Sequence, residues 1–219
     1  MKKFELTSET KINIFGKKLF RIKALISFGV VKTGETGGWV EKEENVNQSG
    51  NAWVSGDAEV FGNARVSGNA EVSGNARVSG NAEVSGNARV SGNAWVFDNA
   101  EVSGNAEVSG DARVSGDAEV FGDARVSGDA EVFGNAEVSG NAEVSGNADY
   151  TTIHGFGTQF RTTTFFRCKN KQVKVSCGCF YGTIPEFREQ VKNTRKGKIA
   201  EEYLMIADLM EKHFAEEAK

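Results

Sequence analysis

The chain has 219 residues, a formal net charge of −4, one proline and three cysteines. No window reaches the roughly 18 apolar residues of a membrane span, and the opening MKKFELTSETKINIF breaks its apolar letters with Glu5, Glu9 and Lys11, unlike a secretory leader. Cys168, Cys177 and Cys179 are odd in number and confined to one late segment, which argues against a disulfide framework and leads us to expect a cytoplasmic protein.

Charge divides the chain into three. Residues 1–47 hold nine Lys/Arg against six Asp/Glu, residues 48–149 five against sixteen, and residues 150–219 twelve against eight. An acidic middle therefore lies between two mildly basic ends.

Residues 1–47 read as an N-terminal β cap. KFELT and KKLFRIKALISF are strand-like runs, a Gly-rich stretch covers residues 34–38, and Val40 and Val46 fall in phase with Ala52 of the segment that follows. Residues 48–160 read as a solenoid. From Val54 to Val144 a valine recurs at every sixth position without insertion or loss, in the pattern V-S-G-[ND]-A-[ER]. In an extended segment the Ala and the Val two residues later share one side, while the Glu or Arg between them points the other way. The Gly-Asn or Gly-Asp pair tolerates positive φ, which gives the chain a local cause to bend once per hexad. A meander of such strands would leave its Val/Ala face uncovered, whereas a solenoid winds that face inward and pairs each coil with its neighbours. Tyr150 and Phe156 keep the valine phase and His154 and Phe160 the alanine phase, so the coil is expected to run about one turn further.

Residues 161–219 read as a β-hairpin plus two helices. TTTFFRC and QVKVSCGCF flank a Lys-Asn-Lys turn, Thr183 is placed as the N-cap of a helix with Pro185 in its first turn and Glu186 in capping-box position, and a last helix is expected from Ile199 to Glu217.

The repeat resembles the hexapeptide-repeat family, whose members form left-handed parallel β-helices with three hexads per triangular coil. The expected fold class is therefore mainly β: a left-handed parallel β-helix with an N-terminal β cap and a small C-terminal ββαα unit. The ends resemble a group of hexapeptide-repeat proteins of bacteria and their prophages, in which FRIKALISFGVVKTGETGGWVEKEENV precedes the repeats and TTFFRCKNKQVKVSCGCFYGT follows them. That resemblance implies a phage or prophage setting, with a counter-defence role among the expectations, and carries no activity.

Chemistry is sparse. Many hexapeptide-repeat proteins are acyltransferases whose general base is a histidine, often on an ejected loop. The repeat here holds no histidine and no such loop, which leaves His154 as a weak catalytic candidate beside the alternative of a cap residue. The related γ-type carbonic anhydrases need three zinc-binding histidines and this chain has two, so no metal is expected, and no cofactor motif is present.

With three hexads per coil, the outward positions sort into three faces. The first carries Glu59, Arg77, Trp95, Arg113 and Glu131, with Phe61, Phe97 and Phe133 at every second coil. The second carries Arg65 and then Glu83, Glu101, Glu119 and Glu137, and the third alternates signs from Glu71 to Glu143. Phe61, Trp95, Phe97 and Phe133 are expected to form a partner or oligomer interface, because aromatic anchors in a polar rim mark association surfaces. The glutamate column is expected to serve as a second acidic face, with nucleic-acid mimicry a minor alternative. A non-enzymatic binding or scaffold protein is the leading expectation, with a protein partner or a dimeric or trimeric homo-oligomer, and an acyltransferase-like enzyme is the alternative. The basic cap around Arg161, Arg167, Lys169, Lys171 and Lys174 is not expected to bind nucleic acid, since such charges at a hairpin tip are usually solvated.

Overall fold

A computed structural model describes residues 2–215. Strands β1 (Phe4–Ile12) and β2 (Lys18–Ala24) form an antiparallel hairpin, and β2 pairs with β3 (Thr36–Val40). Sixteen two-residue strands follow, from β4 (Trp53–Val54) to β19 (Glu143–Val144), one per hexad. They stack in parallel, each strand beside the one three hexads on: Trp53 lies beside Glu71, Glu71 beside Arg89, and so on to Glu143. The solenoid therefore matches the expectation from the repeat, and its three-hexad coil the one the family resemblance implied.

Each feature of the hexad has its place. All the hexad valines from Val54 to Val144 are fully buried, and the alanines are at most 2% exposed, so the interior is a column of small apolar side chains. Backbone ladders link the coils through N–H groups of alternate residues that donate to the next coil, as Trp53 N does to Ala70 O at 3.0 Å. Glycine makes the bend because the backbone there is left-handed and the next coil is close. Gly110 has φ +69°, and a Cβ on it would sit 2.9 Å from Gly128 N. Asp98 replaces glycine in one hexad and still adopts φ 60°, an arrangement that Asp tolerates better than most residues.

Beside the glycines run columns of asparagine that the repeat pattern alone did not reveal. Asn51, Asn69, Asn87 and Asn105 each donate from Nδ2 to the Oδ1 of the residue one coil on, at 2.9–3.0 Å, and the column ends on Asp123. The other two corners carry similar columns that run to Asp117 and Asp111. A carboxylate accepts and cannot donate onward, so each of these runs ends on a residue suited to be its last acceptor.

Two expectations at the ends are corrected. Val40 pairs with Val60 and Val46 with Val66, two positions further on than the coil repeat, so they occupy the valine phase and not the alanine phase. Two extra residues between Val46 and Val54 shift the frame. At the other end, β20 (Tyr150–Phe156) does not add a coil. It turns back as the edge of a four-stranded antiparallel sheet with β21 (Arg161–Arg167), β22 (Val173–Cys177) and β23 (Phe180–Thr183). The glycine bend that would have redirected it is missing from Tyr150-Thr-Thr-Ile-His154. Helices α1 (Ile184–Thr194) and α2 (Gly197–His213) pack on this sheet. Thr183 and Glu186 form the expected capping box, with Pro185 in the first turn. Helix α2 ends at His213, with Phe214 as its C-cap, short of the expected end at Glu217, which lies outside the described residues.

The two solenoid ends have opposite hydrogen-bonding needs. The first coil presents carbonyls with no coil before it, and donors cover them: Trp39 N reaches Ala58 O at 2.9 Å, the Asn45 amide reaches Gly62 O and Ala64 O at 3.2 and 2.8 Å, and Lys3 Nζ reaches Ala52 O at 2.8 Å. The last coil presents N–H groups, and acceptors cover these: Asn147 Oδ1 takes Glu131 N at 2.8 Å, Thr164 Oγ1 takes Glu137 N at 3.0 Å, and Asp149 Oδ2 takes Ser145 N at 2.9 Å. Both caps thus answer the open-edge problem of a parallel stack.

Candidate binding faces

The three faces emerge as the three-hexad register requires, but the aromatic face is remodelled by the N-terminal hairpin. The tip of β1–β2 lies across its first coils. Lys11 Nζ pairs with Glu59 Oε1 at 2.9 Å, Asn13 Nδ2 donates to Glu59 Oε2 at 3.4 Å, and the Phe15 ring stands 5.5 Å from both Phe61 and Trp95. Phe61 is consequently buried, at 7% exposure, in a cluster with Leu19 and Trp39. Trp95 stacks on Phe97 with centroids 4.3 Å apart and donates from Nε1 to Ser79 Oγ at 3.0 Å, which leaves both rings half-buried. Phe133 is 58% exposed, with its ring edge-on to Tyr150 at 6.5 Å.

Of the four anchors named from sequence, then, the structure keeps Trp95 and Phe97 together, removes Phe61 from the surface and leaves Phe133 two coils away. It also adds residues that sequence reasoning passed over. Ile12 and Ile14 are 65% and 75% exposed on the hairpin tip, and Phe15 is 45% exposed beside them. The Ile-Asn-Ile-Phe run before Gly16 was a usable signal, because Asn13 faces the solenoid and alternation sends its two isoleucine neighbours the other way.

The acidic face holds Glu83, Glu101, Glu119 and Glu137 in direct register. Burial, then the charges of Glu137 and Glu101, raise the Glu119 carboxyl above the usual carboxylate range. Glu137 is already engaged, since Ser176 Oγ donates to its Oε2 at 2.6 Å. The column is therefore open at its first three members and tied to the C-terminal sheet at its fourth. On the third face Arg89 pairs with Glu71 at 3.7 Å and Arg125 with Glu107 at 3.2 Å. Both are exposed pairs, each worth a few tenths of a kcal/mol up to about 1.

His154 is exposed on β20, with Nδ1 3.2 Å from Thr162 Oγ1, and it lines a shallow concavity with Asn135, Glu137 and Arg161. Among the described residues no group of three or more His, Cys, Asp or Glu is placed to hold a metal ion. Cys168 is buried, and burial pushes its thiol up; Thr163 donates to the Cys177 sulfur at 3.1 Å. No described helix is long and apolar enough to cross a membrane.

Residues 82–98 match the sequence family described as YdcK beta solenoid repeat. The match covers just under one coil and includes Trp95 and Phe97, so the solenoid reading gains support from the very segment that carries the aromatic break. No curated protein matches the chain.

Proposed function

We propose that this is a non-enzymatic docking protein, a rigid β-solenoid that presents one apolar face to a protein partner. The observation that carries this reading is the group of apolar side chains left uncovered at one place. Ile12, Ile14 and Phe15 project from a hairpin fastened down by Lys11, Asn13 and Phe15 itself, and Trp95 and Phe97 lie half-buried beside it. Exposed isoleucines on an otherwise polar rod are costly in water unless something covers them. The rod supplies pre-organisation, because a stacked coil loses little freedom when a partner binds. The acidic column at Glu83, Glu101 and Glu119 offers a second contact for a basic patch on the partner. A role as a phage or prophage accessory protein rests on the resemblance of the chain ends.

The test uses the variant Ile12→Ser/Ile14→Ser/Phe97→Ser, which spares the buried Phe61. Wild type and variant are compared by light scattering and by capture from the native host. The reading expects a species larger than the monomer, or a captured protein, that the variant loses. A wild type that stays monomeric and captures nothing the variant lacks would overturn it.

A further inference from the structure

The C-terminal unit contains a cleft that the solenoid faces do not use. It lies between the β22–β23 turn and helices α1 and α2, with a volume of about 490 Å³. That size falls within the roughly 300–1,000 Å³ of small-molecule sites. Its inner wall is apolar, formed by Phe187 and Val191, each 3% exposed, with Tyr203 at 7%.

The charged side chains on the cleft are both cations. Arg161 and Arg195 line it, no carboxylate does, and neither guanidinium makes an ion pair among the described residues. Among the described residues Arg195 Nη1 donates to the Thr194 carbonyl next to it, at 3.3 Å. Burial, then the neighbouring Cys177, push the Tyr203 hydroxyl pKa up, against the opposing pull of Arg195 and Arg161. Arg161 lies over Gly178, where the backbone has φ +60° and a Cβ would collide with the guanidinium. The bare glycine leaves room for that side chain at the turn. Gln190 and Thr194 add polar groups along the α1 side.

We propose that this cleft binds a small organic anion, with a carboxylate or phosphate group held by Arg161 and Arg195 and an apolar body resting on Phe187 and Val191. Arginine suits this task because its planar fork matches either oxyanion. The proposal stands apart from the docking face, which lies on the other cap.

The probes are phenyl phosphate and benzoate, with benzyl alcohol as the neutral control, titrated into the full chain by calorimetry. At least one anion is expected to bind at least tenfold more tightly than the alcohol, and comparison of the two tells phosphate from carboxylate preference. Arg161→Met and Arg195→Met should each weaken that anion roughly tenfold or more, as loss of a charge-assisted hydrogen bond predicts. Amide shifts of the wild type on titration should cluster at residues 177–181 and 187–203, a readout that needs no variant. Binding of neither anion, wild-type affinity in both variants, or shifts centred elsewhere would each overturn the proposal.

Discussion

Asn45 tests whether the solenoid depends on its edge cap. The side chain is fully buried, its Nδ2 donates to Gly62 O and Ala64 O at 3.2 and 2.8 Å, and its Oδ1 accepts from Lys42 N at 2.9 Å. Asn45→Ala would leave two first-coil carbonyls and one N–H without partners, the Ala64 carbonyl in a buried bond and the other two in part-buried ones. A buried orphan costs about 1–3 kcal/mol and a part-buried one less, so a loss on the order of 3–5 kcal/mol is expected. The control is Asn87→Ala. Asn87 also makes two bonds, one from Asn69 and one to Asn105, each 3.0 Å, but it is exposed and the freed amides return to water. That change should cost under about 1 kcal/mol. Urea unfolding gives both numbers, and hydrogen exchange should show the Asn45→Ala loss concentrated in the first coil, since coils contact only their neighbours. Equal costs for the two variants would refute the argument that unpaired edge carbonyls set the stability of this end.

Lys3 supplies a pH test. Burial lowers its pKa from 10.5 to about 8, despite the carbonyl contact at Ala52 and the Phe28 ring 4.8 Å away. Between those two values the unfolded chain holds a proton that the folded chain has released, so stability should rise with pH across that window by up to about 3 kcal/mol. Lys3→Met should flatten the rise in unfolding midpoints measured across the same window, and an identical slope in the variant would sink the assignment. Glycine offers a paired test of crowding against backbone strain. Gly110→Ala meets Gly128 backbone at 2.9 Å, whereas Gly134→Ala, at φ +70°, meets nothing within 4 Å. The open site should cost about 1–2 kcal/mol for the left-handed conformation alone, and the crowded site measurably more in the same thermal melts; a reversed order would contradict the close-stacking account.

What the sequence made legible follows from where its causes are local. Nearly every hexad from Val54 to Val144 repeats its own reason to bend and bury valine, so the solenoid and its core could be read residue by residue, while the three-hexad coil length, and the faces that follow from it, came from the family resemblance. The ends depend on contacts distant in sequence. Tyr150 keeps the valine phase and is buried, at 6%, yet the chain there reverses into an antiparallel sheet. Phase reports only which side a residue faces, and a coil and a returning strand ask for the same side. The two extra residues before Val54 were invisible for a similar reason, because Val40 and Val46 fit either frame until their partners at Val60 and Val66 fix one. The aromatic face shows the sharpest limit. Phe61 and Phe97 hold equivalent places in the repeat, and only contacts from far earlier in the chain, Phe15, Leu19 and Trp39, make one a core residue and leave the other half-buried. A strictly periodic segment therefore specifies where a side chain points but not what covers it. The residues that decide which part of this rod stays uncovered belong to the aperiodic cap.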